Sequence, residues 1–308
     1  MSSTITNRAY ASQNDFWRVR QLLIDAYPIT GPGYLWEIRR WDGQHYHSDD
    51  LRWNPLWEQR YRLWETTDGQ LIGLVHPEGD PGNAHFEIHP DFRSRIEDEM
   101  ISWAEEHLPA PNQDGVRQLE TFAFEHDSLR VRLLEAHGFI KTPYFGMMRH
   151  MFMGSQPLPA VEMAEGYALR STCSEPADYN RMAALLNAAF NRSVHTAVEY
   201  ENFARFSPSF RHDLNFVAVA SDGTFAAHVG ITYEPNNRYG IIEPVCTHPD
   251  HRRHGLAQTL IFHSLHRLRA LGAQHVHVDT GSMEAANALY DSIGFSEAYR
   301  GYYWQKVY

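Results

Sequence analysis

Cysteine is nearly absent from this chain of 308 residues: Cys173 and Cys246 are the only two. Two thiols make neither a disulfide framework nor a four-thiolate zinc site, and their scarcity fits a reducing compartment. Also missing is any run of about 20 apolar residues, the length a membrane-spanning helix needs, although 43% of the chain is hydrophobic. The opening Met1-Ser2-Ser3-Thr4 lacks the basic-then-apolar pattern of a secretion signal. A soluble, cytoplasmic protein is therefore expected, with no membrane partner. Basic charge is in deficit as well, 27 Lys and Arg against 38 Asp and Glu, a formal net charge of -11. That balance argues against sequence-independent nucleic-acid binding, which needs basic patches to neutralise phosphates. It suits a small cationic partner better.

What is present is an internal repeat. His89-Pro90-Asp91-Phe92-Arg93 recurs as His248-Pro249-Asp250-His251-Arg252, and Ala136-His137-Gly138-Phe139 answers Ser292-Ile293-Gly294-Phe295. Leu22-Leu23-Ile24-Asp25-Ala26-Tyr27 against Leu185-Leu186-Asn187-Ala188-Ala189-Phe190 gives a third echo, in the same order. Between the halves, Met153 to Gly166 is rich in Pro, Gly, Ser and Glu without an apolar period and reads as a linker. The expected organisation is two domains, 1–152 and 166–308, joined by 153–165.

Within the second half, Leu214–Ala220 alternates, Asp222-Gly223 is a hairpin turn and Phe225–Tyr233 is the return strand. A turn at Asn236-Asn237 leads to a third strand, Tyr239–Cys246. Leu256, Leu260, Ile261, Leu265, Leu268 and Leu271 recur at helical spacing, and Gly272 follows as a C-terminal cap. A strand at His275–Asp279, a helix at Glu284–Ser292 stopped before Gly294, and a strand at Gly301–Tyr308 complete an α+β layout.

Arg252-Arg253-His254-Gly255-Leu256-Ala257 lies between the third strand and the long helix. The first N–H groups of a helix are unpaired, the macrodipole adds partial positive charge, and Gly255 removes a side chain that would block close approach. Such a turn binds phosphate, with Arg252 and Arg253 adding charge; taken alone, the same residues equally fit a solvated basic loop capping a helix. Its spacing, Arg-x-x-Gly-x-Ala, is not that of a nucleotide-hydrolysing loop.

The succession of strand, His-Pro-Asp, Arg-x-x-Gly-x-Ala, amphipathic helix, short strand, Asn287-Ala288-Leu289-Tyr290 and Gly294-Phe295 resembles the GNAT superfamily of N-acetyltransferases, most closely over Tyr239–Phe295. The resemblance implies two tandem GNAT-like domains, each a mixed, mostly antiparallel sheet flanked by helices, with acetyl-CoA as acyl donor and no metal. It implies that the turn, Arg252, Arg253, His254, Gly255, Leu256, Ala257 and Gln258, cradles the donor's pyrophosphate. Val245, Cys246 and Thr247 would lie along its pantetheine arm, and Asn287 would also contact it. Tyr290 takes the place of the general acid. An attacked thioester builds negative charge on its carbonyl oxygen and then on sulfur, so a buried phenol near the sulfur serves that step. Glu243, in Ile241-Ile242-Glu243-Pro244, is the candidate base, with Pro244 marking local irregularity and Glu234, His228 and His248 as further candidates.

Aligned on His-Pro-Asp, the first half carries Ile96 for Gly255 and Asp98 for Ala257; aligned on Gly-Phe, it carries Leu134 for Tyr290. It is expected to fold without the donor chemistry. Its aromatic stretch, Tyr34, Trp36, Trp41, Trp53, Trp57 and Trp64 with Glu37, Asp42, Asp49 and Asp50, either packs a core or covers the other domain, or forms a wall for an ammonium-bearing acceptor. His45-x-His47 and His275-x-His277 would each share a strand face, without a further ligand to make a metal site. The expected activity is acetyl transfer to a primary amine of a small molecule, in a monomer or homodimer. A non-catalytic acyl-CoA sensor and a protein or peptide N-acetyltransferase are the alternatives.

Overall fold

The computed structural model describes residues 4–79 and 81–308; the N-terminal reading at Met1–Ser3 lies outside them. In chain order the first half holds β1 (Ile5–Ala9), α1 (Gln13–Thr30), α2 (Ile38–Tyr46), α3 (Leu56–Arg60), β2 (Arg62–Thr66), β3 (Leu71–His76) and β4 (Asn83–Ile88). It continues with α4 (Arg93–His107), β5 (Ala110–Pro111), β6 (Arg117–Phe124), α5 (Ser128–Ala136) and β7 (Ile140–Phe152). The second half repeats the order: β8 (Tyr167–Ser171), α6 (Pro176–Phe190), α7 (Ala197–Phe206), β9 (Asn215–Ala220), β10 (Phe225–Glu234) and β11 (Tyr239–Thr247). Then follow α8 (Leu256–Leu271), β12 (His275–Thr280), α9 (Glu284–Ile293) and β13 (Glu297–Val307). The two halves are thus successive versions of one α+β pattern, each a mixed sheet flanked by helices, as the resemblance implied.

The chain divides into two compact units, and each takes a segment from the other half of the sequence. The first comprises Met1–Ile38, Arg52–Met148 and Tyr299–Tyr308; the second, Arg39–Leu51 and Arg149–Ala298. Residues 39–51 and 299–308 thus fall on the other side of the division from where the sequence boundaries put them. In the first unit β1 to β4 pair antiparallel in order, β4 pairs parallel with β6, and β6 takes the end of β13 from Gly301 opposite Phe124 to Val307 opposite Gln118.

In the second unit β8, β9, β10 and β11 form an antiparallel meander, and β12 joins β11 in parallel. Strand β10 is central and nearly all its side chains are buried, as expected of a strand covered on both faces. One face packs on α8 through Leu256, Leu260, Ile261, Leu265 and Leu268 against Val229, Ile231 and Ile242. The other packs on α6 and α7 through Met182, Leu186 and Tyr200 against Val217, Phe225 and Cys246. The expected linker is not loose: Met153, Leu158 and Met163 pack on the α8 core, and the Pro159 carbonyl lies 2.8 Å from His266 Nε2.

Candidate active site

The His-Pro-Asp turn after β11 is a short 3-10 segment in which the His248 side chain accepts from Asp250 N–H at 3.3 Å. Arg252 then extends, and Arg253 and Gly255 both take left-handed backbone, φ 70° and 72°, before α8 begins at Leu256. Glycine adopts that conformation without the Cβ clash other residues suffer. Nothing lies within 4 Å of where a Gly255 Cβ would be, so the turn faces open space. The Gly255 carbonyl accepts from Thr259 N–H at 3.0 Å, while no side chain caps the helix among the described residues. The first-turn donors point outward, as an anion-binding helix start requires. Arg252, Arg253 and His254 are exposed; Ala257 and Gln258 are half-buried; Leu256 is buried in the α8 core.

Strands β11 and β12 pair only from Tyr239 opposite His275 to Ile241 opposite His277. Beyond that β11 runs on to Thr247 while β12 ends at Thr280. The edge of β11 from Ile242 to Thr247 is thus free of β12, and its backbone donors and acceptors on that side are open to a ligand. On its other side β11 keeps its pairing with β10, Val245, Cys246 and Thr247 opposite Val229, His228 and Ala227.

That pairing is broken once. Val229 faces Val245 but Ile231 faces Ile242, so Glu243 and Pro244 together oppose Gly230. A residue added to one strand in this way is a β-bulge, which re-aims side chains. Ile242 and Val245 both pack on the α8 side, whereas Glu243 and Pro244 both line a cavity on the other face. Gly230 is needed at the bulge, because a Cβ there would stand 2.7 Å from the Glu243 carbonyl.

Helix α9 supplies the remaining candidates. Tyr290 is buried, edge-on to Phe295 with ring centres 5.6 Å apart. Burial, and then the charge of Glu243, push its phenol above the usual value, which places Glu243 within electrostatic reach of Tyr290. Asn287 donates through Nδ2 to the Gly281 and Met283 carbonyls, each at 3.0 Å. Its Oδ1 is buried without a partner, an acceptor suited to an amide N–H such as a pantetheine arm carries.

The cavity lies in the second unit between β10, β11 and helices α6 and α7; it opens to solvent and is narrow, about 20 Å³. Arg39, His47, Tyr200, Phe203, His228 and Glu243 are among its lining residues. Arg39 donates through Nε to the Glu243 carbonyl at 3.0 Å, and its Nη1 lies 3.4 Å from Glu243 Oε1. His47 stacks on Phe203 with centres 3.9 Å apart and stands 3.2 Å from Glu199 Oε1. Burial alone would raise the Glu199 carboxyl, but hydrogen bonds from His195 and His47 outweigh it and pull the group down to about 2.

Of the two readings of the first half's tryptophans, packing holds: Trp64 sits in the first unit's core, Trp53 stacks on Tyr10 at 5.5 Å, and Trp36 packs on His76 at 4.4 Å. Trp41 is fully buried. Large apolar rings gain more from burial than from weak cation contacts at a wet surface. Of that region it is Arg39 and His47 that reach the cavity, and neither was singled out for it. His45 lies on α2, not a strand, with Nδ1 3.2 Å from the Trp41 carbonyl. Glu234 closes the Asn236-Asn237 turn by accepting both N–H groups, at 3.0 and 2.7 Å, and His248 accepts within its own turn; neither is among the residues lining the cavity. His275 and His277 do share a face of β12, both stacked on His150. Among the described residues no group of three or more His, Cys, Asp or Glu side chains could hold a metal ion, and no helix is long and apolar enough to cross a membrane.

The open turn, the parted strand pair and the buried phenol all fall within residues 179–295, which match the model of the acetyltransferase (GNAT) family. Among solved structures, a GCN5-related N-acetyltransferase from Sphaerobacter thermophilus is 20% identical, with TM-score 0.62, covering 98% of this chain and 95% of its own. A tandem GNAT protein from the clavulanic acid biosynthesis pathway is 18% identical, with TM-score 0.65, covering 99% and 98%. A GNAT-family acetyltransferase from Colwellia psychrerythraea is 12% identical, with TM-score 0.59, covering 98% and 100%. At these identities the likeness is one of fold. No curated protein sequence matches the chain.

Proposed function

We propose that the second unit transfers an acetyl group from acetyl-CoA to the primary amine of a small molecule, by direct attack while both are bound. The observation that carries this reading is the parting of β11 from β12 beyond Ile241 and His277, with the Gly255 turn beyond one end of the open edge. The residues fit the donor on independent grounds: an open space before Gly255, unpaired helix-start donors for the pyrophosphate, and the orphaned Asn287 Oδ1 for an amide of the arm. In this reading Arg252, Arg253, His254, Gly255, Leu256, Ala257 and Gln258 hold the phosphates. Val245, Cys246 and Thr247 lie along the arm.

Glu243, aimed into the cavity by the bulge, takes a proton from the acceptor ammonium so that the neutral nitrogen can bond to the acyl carbon; as the carbon–sulfur bond breaks, the nitrogen gives its second proton to solvent or to the phenolate left once Tyr290 has protonated the sulfur. Charge growing on the carbonyl oxygen is met by N–H groups of the free β11 edge. Tyr290, whose phenol keeps its proton because burial and Glu243 raise it, donates to the departing sulfur. The cavity's enclosure by α6, α7 and Arg39 favours a small molecule over a polypeptide chain. Release of free thiol from acetyl-CoA in the presence of a panel of amines tests the reading. A matched amine should yield one acetylated product per thiol; tight donor binding with no product from any amine would replace the enzyme by a sensor.

A further inference from the structure

Two polar groups facing the cavity are left incomplete, and they differ in kind. Arg39 is the only Arg or Lys among the lining residues, and its side chain is 12% exposed. Its contact with the Glu243 carboxylate, at 3.4 Å, is longer than the 2.7–2.9 Å or so of a charge-assisted bond. Its Nη2 has no partner among the described residues, and the guanidinium lies over Phe203, 5.4 Å from the ring centre. Glu199 gives it no relief, since His47 and His195 already engage that carboxylate. A half-buried guanidinium with a donor left over has capacity for a further acceptor. An added anion would complete it.

The second group is His228, fully buried on β10 beside the bulge. Its Nδ1 lies 3.0 Å from the Phe216 carbonyl; a carbonyl only accepts, so Nδ1 carries the hydrogen and Nε2 presents a lone pair. That Nε2 is buried and has no partner. Burial lowers the imidazole to about 4, so near neutral pH the ring cannot protonate and turn Nε2 into a donor. An N–H from a ligand would satisfy it.

The geometry points to a small zwitterionic acceptor, an amine that also carries a carboxylate or phosphate, with Arg39 taking the anionic group and His228 Nε2 receiving an N–H near the reacting nitrogen. A plain amine would satisfy His228 and Glu243 and leave Arg39 incomplete; a plain anion would do the reverse. This inference rests on the acetyltransfer reading and adds the chemical class of its acceptor.

Calorimetric titration of the full chain with coenzyme A present, using matched pairs, provides the test. β-Alanine against propylamine probes a carboxylate, and phosphoethanolamine against ethanolamine probes a phosphate. At least one anion-bearing member should bind about tenfold or more tightly than its partner. Arg39→Gln should bring that pair to within about twofold and Arg39→Lys should keep part of the gap, whereas His228→Leu should weaken both members alike. The idea is overturned if no anion-bearing member binds, if plain amines bind as well or better, or if Arg39→Gln weakens both members equally. Because binding is read within pairs, a failure of acetyl transfer appears separately, as absent thiol release from amines that do bind.

Discussion

Both units lead a strand into a His-Pro-Asp turn and then a helix, yet they part company at the next residue. In the first, Arg93 is already helical, with φ -52° and ψ -50°, and α4 starts there. In the second the equivalent Arg252 is extended, two left-handed residues follow, and α8 waits until Leu256. The same three residues that form an open cradle in one unit are a turn of helix in the other. The position of Gly255 is taken by Ile96, 1% exposed in the core, and the next by Glu97, fully buried. Glu97 receives Arg93 Nε at 2.8 Å and Arg130 Nε at 2.6 Å, while Arg93 also pairs with Asp127 at 2.8 Å. The first unit thus supplies its own carboxylates to the arginines there. Leu134, where the second unit has Tyr290, is fully buried. One fold serves two ends: an open turn before a helix, and a closed core.

The hardest attempt to erase this difference is Gly255→Ile, which puts the first unit's residue into the second unit's turn. A branched side chain at φ 72° costs roughly 1–2 kcal/mol in backbone alone, and it occupies the space where a phosphate would approach. Acetyl-CoA affinity should fall by about a hundredfold or more, read by calorimetry. An unchanged affinity would mean that the turn holds no phosphate. Next in size is Tyr290→Phe, expected to lower kcat by roughly a hundredfold through loss of the proton donor while donor affinity stays within about twofold. Because burial and Glu243 raise the phenol, the wild-type kcat should hold its value through pH 10 or so, the ordinary titration of tyrosine. A fall centred there would contradict the assignment. The reverse exchange in the first unit, Ile96→Gly with Asp98→Ala, should destabilise by roughly 3–5 kcal/mol through a cavity and a helical glycine. It should still leave one coenzyme A per chain, as in the wild type; a second equivalent would show that the helix yields to a cradle after all.

How much of this was readable beforehand depends on the range of the interactions involved. Helix α8 was legible to the residue, because the apolar spacing from Leu256 to Leu271 and the left-handed Gly272 are local signals. The meander β9 to β11 and the helix carrying Tyr290 were legible for the same reason, within a residue or two at their ends. The bulge was hinted at by Pro244 but its consequence was not, since it depends on which face Ile242 and Val245 choose when packed on α8. The cavity was hidden. Arg39 meets Glu243 across 204 positions of sequence, and α7, which carries Tyr200 and Phe203, left no motif. Composition alone could not decide one point: an aromatic, acidic stretch reads the same whether its rings face a ligand or a core, and here Trp36, Trp53 and Trp64 went to packing.

The mildest change separates backbone from side chain in the cradle. Arg252 is exposed and bonds only the Ala189 carbonyl, at 3.2 Å, so any charge it offers a phosphate is screened by water and salt. Arg252→Ala should therefore weaken acetyl-CoA binding about threefold at an ionic strength of roughly 0.15 M, and by more in dilute buffer, where the Debye length is longer. The Gly255→Ile loss should hardly change with salt, since it removes a fit and not a charge. If Arg252→Ala equalled Gly255→Ile in size, the arginines would carry the binding. The contrast between the units would then come down to charge, and the first unit, with Arg93 locked to its own carboxylates, would differ only in having spent its arginine.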